Sequence, residues 1–235
     1  MSLFSRLTGK DDELVKHVQQ RYAYVMKETM PWVEEADRLR DAGNLDAARD
    51  GYQKTFDLFH RLEEDQGGIV PPEFVQLSAM MLERIGDIDL MKMELASALR
   101  SFLQALERYQ ASVGPSRSTV QVLGKIGDLY ESANDLDKAR EYYEAGRETA
   151  GEVDLPPEIR TALLNNVGRV YVMQGDVDRG LKSLEDAVAI DRSEGTDAME
   201  AAVHLNNLGE LYQMMGDLER AERCLEEAVQ LQSKA

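Results

Sequence analysis

The chain has 235 residues, with 27 basic and 44 acidic side chains and a formal charge of −17. That argues against a nucleic-acid partner and against docking on an anionic membrane, since both need a cationic footprint. Hydrophobic residues make up 43% and recur periodically, which excludes a disordered chain, and the single cysteine, Cys224, excludes a disulfide framework or a cysteine-rich metal site. No apolar run approaches the roughly 18 residues of a membrane span, and the opening MSLFSRLTGK lacks the apolar stretch of a signal peptide. The expectation is a cytoplasmic protein. The acidic surplus is spread almost evenly, with no acidic tail, as a repeated solvated surface would give.

In chain order, residues 1–10 carry Leu3, Phe4 and Leu7 and are expected to be a frayed tail or a short anchor. Over 11–29, Leu14, Val18, Tyr22 and Val25 share one helical face, which predicts a leading helix that caps the first hairpin. A first, weak unit then shows Trp32, Ala36, Leu39, Gly43, Ala48 and Tyr52, with a longer connection through Asp65-Gln66-Gly67-Gly68.

Four stronger copies come next. LERIGDID (82–89), LGKIGDLY (123–130), LNNVGRVY (164–171) and LNNLGELY (205–212) place glycines at 86, 127, 168 and 209, each 41 residues from the last. Twelve residues after each glycine stands a small residue (Ala98, Ala139, Gly180, Ala221). Four further on is a large one (Phe102, Tyr143, Leu184, Leu225), and three further again a small one (Ala105, Gly146, Ala187, Ala228). Each copy reads as two helices: Leu205, Leu208 and Tyr212 share one face, Gly216-Asp217 breaks the pattern, and Leu218, Ala221, Leu225 and Ala228 resume it. Small residues let the two backbones approach and large ones fill the surrounding space. Pro and Gly mark the joins at Val70-Pro71-Pro72, Gly114-Pro115, Leu155-Pro156-Pro157 and Gly195, and no strand alternation appears. Asp89 and Met93 depart from the pattern in the second unit, which predicts an irregular hairpin near Asp89-Leu90-Met91. Gly180 keeps the close contact while weakening its helix by about 1 kcal/mol.

Leu205, Leu208, Gly209, Tyr212, Gly216, Ala221, Leu225 and Ala228 carry a pattern that resembles the tetratricopeptide repeat (TPR) family. The period of 41 rather than 34 looks like the longer-repeat, kinesin light chain branch, the extra seven residues being about one turn per helix. The resemblance implies an all-α fold: a right-handed superhelical α-solenoid of about five helical hairpins with an N-terminal capping helix. The implied division is 1–30 for tail and cap and 31–235 for the repeat domain, with units near 31–68, 72–114, 118–154, 157–194 and 198–235.

It also implies a peptide-binding groove lined by the first helix of each hairpin, at positions three and two before the motif glycine and one after it. These positions give Glu83, Arg84 and Asp87; Gly124, Lys125 and Asp128; Asn165, Asn166 and Arg169; and Asn206, Asn207 and Glu210. The site expected to bind is Arg84, Lys125, Asn165, Asn166, Arg169, Asn206, Asn207 and Glu210. Asn is a mediocre helix former whose amide both donates and accepts, so the pairs at 165–166 and 206–207 either hold a peptide backbone or bridge successive repeats. The family's Lys/Arg/Asn clamp for a C-terminal carboxylate is not matched: Gly124, Asp128, Val203 and Asn207 occupy the places where its other residues belong. An acidic rim favours a basic or neutral segment through on-rate.

At the C-terminal end, Val229 and Leu231, with Cys224, are expected to lie on an open stacking surface that self-associates or docks a partner. His17, His60 and His204 are not spaced as metal ligands, and the sequence contains no H-E-x-x-H, G-x-S-x-G, P-loop or G-x-G-x-x-G. His204 reads as a surface residue, Cys224 as a packing residue, and Met80, Met81, Met91 and Met93 as core filler. No catalytic residue, metal or cofactor is expected. The expected function is a protein–protein interaction adaptor or scaffold, the alternative being a regulator whose superhelix responds to a small signal peptide.

Overall fold

A computed structural model describes residues 12–65 and 70–233. The expectations for residues 1–10 and for the Gln66–Gly68 connection fall outside them. Ten α-helices occur among the described residues: α1 (Asp12–Asp41), α2 (Leu45–Asp65), α3 (Pro72–Met91), α4 (Leu95–Ser112), α5 (Arg117–Ser132), α6 (Leu136–Ala150), α7 (Pro157–Met173), α8 (Val177–Ile190), α9 (Ala198–Met214) and α10 (Leu218–Gln232). They pair in sequence as five antiparallel hairpins. The chain divides into two compact units, Met1–Gly114 with the first two hairpins and Pro115–Ala235 with the other three.

One element differs from its sequence reading. The leading helix and the first helix of the first hairpin form a single helix, Asp12–Asp41, which runs through Pro31. Proline removes one backbone donor, and just before it the Thr29 hydroxyl donates to the carbonyls of Val25 and Met26. Tyr22 and Phe59 close on the Phe74 ring at 4.3 and 4.4 Å, so the N-terminal half of α1 is anchored in the core of its unit.

Each hairpin is tied at its turn in the same way. Seven residues after the motif glycine (or Ala36) the backbone turns left-handed, at Gly43, Met93, Asn134, Gly175 and Gly216, with φ of 79, 60, 58, 84 and 80°. The next amide then reaches back five residues, as from Asp217 to the Tyr212 carbonyl at 2.9 Å. Asp135, Asp176 and Asp217 cap the second helices by accepting from Lys138, Arg179 and Arg220.

Glycines set the helix spacing. A Cβ on Gly86 would lie 2.5 Å from the Phe102 ring, on Gly168 2.9 Å from Leu184 and on Gly209 3.0 Å from Leu225; Gly127 faces the Tyr143 ring in the same way. Gly180 is needed for space as well: a Cβ there would meet Val172 at 2.5 Å and the Gly168 carbonyl at 3.0 Å.

The irregularity expected near Asp89 is absent. α3 stays helical to Met91, and the turn bonds match those of the other hairpins. Asp89, fully buried where the three later units have Tyr, accepts from Arg49 at 2.6 Å and from Ser97 at 2.7 Å. Two other readings are corrected. Met81 is core, but Met91 and Met93 are solvent-exposed, because they sit at the hairpin turn. His204 is only 4% exposed and bonds Asp191 at 2.8 Å, inside the π-helical turn Asp191–Gly195 that joins the last two hairpins.

Met93 is 77% exposed at a left-handed position that glycine adopts freely. Met93→Gly should therefore raise stability by about 0.5–1 kcal/mol, read as a Tm increase of about 1–4 °C. Gly127→Ala should cost about 1–3 kcal/mol in urea titrations, because the Tyr143 ring cannot retreat from a fully packed site.

Candidate functional site

Within residues 115–235 the first helices α5, α7 and α9 share a face on which the positions around each motif glycine recur. Several polar side chains there bond across from one hairpin to the next. Asn166 donates to Asp128 at 3.3 Å, Arg169 to Glu131 at 2.6 Å, and Asn207 to Asn165 at 2.8 Å. Asn165 is 4% exposed, so its amide bridges repeats and does not face solvent. Tyr143 donates to Asp128 at 2.6 Å and to Glu131 at 2.9 Å; burial and those two carboxylates push its hydroxyl well above the usual tyrosine range. Burial works against the charge of Arg169, but Glu131 holds the guanidinium firmly protonated.

N-terminal to this ladder the same face opens into a cleft of about 380 Å³. Its apolar lining comes from Val120 on α5 and from Ile159, Ala162 and Leu163 on α7. Lys125, Asp128 and Asn166 line it, together with Arg117, Glu158 and Glu200. The arrangement offers an apolar slot beside charges of both signs and a side-chain amide.

Of the expected site residues, Lys125 and Asn166 meet at this cleft. Asn165 and Asn207 form the inter-repeat bridge, and Arg169 serves the ladder. Asn206 is half-buried and Glu210 exposed, both on α9. Arg84 belongs to the other unit, where it donates to Asp37 beside the Tyr52 ring. Tyr52 donates to the same carboxylate. Ile159, Ala162 and Arg117 escaped the sequence reading. The signal was present: Gln121, Ala162 and Val203 recur at the period of 41, six residues before each glycine and one turn from Lys125, Asn166 and Asn207.

The comparisons with known proteins agree with this architecture. The Tetratricopeptide repeat family matches residues 77–151 and 159–234, which is more than half of the chain, and the chain belongs to that family. A search of the curated proteins finds no match. Among solved structures, BtubC (BKLC) from P. vanneervenii is similar over 100% of this chain and 92% of its own, with TM-score 0.76 and 19% identity. A Podosopora anserina protein with nearly identical TPR-like, kinesin light chain repeats aligns over 87% of this chain and 94% of its own, with TM-score 0.66 and 17% identity. YrrB, described as a TPR protein with an unusual peptide-binding site, aligns over 90% and 92%, with TM-score 0.57 and 17% identity. At these identities the likeness shows the fold, that of the all-α TPR solenoids. Among the described residues no helix is long and apolar enough to cross a membrane.

Asp37 gives the first unit a pH dependence. Burial pushes its carboxyl up, but hydrogen bonds from Arg84 and Tyr52 and the charge of Arg40 outweigh that and hold it below the ordinary range. A carboxyl lowered by folding stabilises above its unfolded pKa of about 3.9 and loses that contribution as pH falls through the folded value. Asp37→Asn should thus lower the urea midpoint at pH 7. It should also flatten the acid limb below about pH 4 relative to the parent chain.

Proposed function

We propose that the protein is a non-catalytic adaptor that takes a short segment of a partner protein in the cleft shared by α5 and α7. The observation that carries this reading is the cleft itself, an apolar slot of about 380 Å³ flanked by Lys125, Asp128 and Asn166 on a TPR scaffold. The slot accepts one apolar side chain of the segment. Asn166 and Lys125 are placed to meet its backbone carbonyls, and Asp128, Glu158 and Glu200 favour a neighbouring basic residue. The inter-repeat bonds hold this surface in shape before binding, which lowers the entropy cost of association. A TPR protein described as having a peptide-binding site, YrrB, supports the reading by analogy of fold.

Selection of a random peptide library on the full chain, followed by anisotropy titrations, tests it. Selected peptides should pair an apolar residue with a basic one. Ala162→Arg, an exposed substitution inside the slot, should weaken them by about tenfold or more with Tm unchanged. Peptides that bind the variant equally well, or a library that yields none, would overturn the proposal.

A further inference from the structure

The second helices carry a different surface, the one that joins each hairpin to its successor. In α8, Val177, Leu181, Leu184 and Val188 pack against Leu205, Leu208, Leu211 and Tyr212 of α9. One repeat later in α10 the same positions hold Leu218, Glu222, Leu225 and Val229. Leu218 is 66% and Val229 63% exposed, while Val188, at the equivalent of Val229, is 2% exposed.

One polar position of the joint repeats as well, while a second, Arg140 of α6, becomes Leu181 in α8. Glu144 of α6 accepts from Tyr171 of α7 at 2.7 Å, and Glu185 of α8 accepts from Tyr212 of α9. Their equivalent, Glu226, has no partner among the described residues. Arg140 of α6 donates to Gln174 at 2.9 Å, three residues after that tyrosine. The equivalent of Arg140 in α10 is Glu222, exposed and also without a partner among the described residues.

We infer that the Leu218–Val229 face of α10 is a docking surface for an amphipathic helix of a partner protein. The joint inside the molecule defines three apolar residues spaced as Leu205, Leu208 and Leu211 with a tyrosine next, and the exposed Glu222 calls for Lys or Arg three residues after the tyrosine, where the internal joints have Gln174 and Met215. The tyrosine hydroxyl donates to Glu226 and the basic side chain pairs with Glu222, while the apolar residues cover Leu218, Leu225 and Val229. The first helix of a second copy does not match that pattern. In α1 the places of Leu208 and Leu211 are taken by Glu35 and Arg38, an exposed pair at 3.3 Å.

The test titrates the full chain with a stapled, dye-labelled peptide of the sequence of residues 198–217 carrying Met215→Lys. Saturable binding is expected. Leu218→Glu or Val229→Glu in the protein should weaken it about tenfold or more, since each removes one apolar contact. Met215→Glu in the peptide should weaken it by several-fold, and Glu222→Lys in the protein should then restore it. Leu218 and Val229 are exposed, so unchanged far-UV dichroism and Tm separate lost docking from lost folding. No binding, or binding indifferent to Leu218→Glu, overturns the inference. So does a dimer of the chain, seen by light scattering, that dissolves on Val229→Glu, because the face would then belong to a second copy.

Discussion

The contact on which the molecule depends is the close approach of two helix backbones inside each hairpin. Gly86, Gly127, Gly168 and Gly209 present no side chain to Phe102, Tyr143, Leu184 and Leu225, and Ala36 stands in the corresponding place beside Tyr52. Only at that distance can the small residues of the second helix, such as Ala98 and Ala139, lie fully buried. The approach fixes the angle of each hairpin. The left-handed turn, joined in the last three hairpins by an aspartate cap, fixes its register. With both set, every other position in the period has a determined direction: inward, toward the shared first-helix face, or toward the next hairpin.

Joining hairpin to hairpin is left to a smaller set of groups, many of them polar. Glu144 with Tyr171, Glu131 with Arg169, and Asn165 with Asn207 each bridge one join. Directional bonds of this kind select one register of stacking more than they add net stability. In the first unit the same task falls to Arg49 with Asp89 and Arg84 with Asp37. The Asp89 departure is thus a substitution of one joint chemistry for another. It needs Arg49 on the neighbouring hairpin to neutralise a carboxylate buried in the core.

Surface chemistry depends on what those bonds use up. Arg169, Asn165 and Asn207 stand at positions expected to hold ligand, yet their polar groups are engaged in the ladder. Asn166, whose amide also donates to Asp128, and Lys125 stand at the cleft. On the second helices the balance is reversed, since α10 keeps Leu218, Leu225 and Val229 of the joint and leaves Glu222 and Glu226 unengaged among the described residues.

The period of 41, the paired helices, the turn glycines and the capping aspartates were all legible in the sequence, because each is a local steric or hydrogen-bonding demand met within one hairpin. The roles of the asparagines were not. Whether an amide at the groove position bonds a ligand or its neighbour depends on which side chain the next hairpin brings within about 3 Å, and Asn165 and Asn207 lie 42 residues apart. His204 escaped for the same reason, since its partner Asp191 is placed by a π-helical turn that no periodicity announces. The continuity of α1 through Pro31 was equally hidden: proline signals a break, and the core contacts of Tyr22 on the far side of it overrode that local preference. Local sequence determined what each hairpin is. Tertiary packing decided which of its polar side chains bond the neighbouring repeat, because that choice is made only where two hairpins meet.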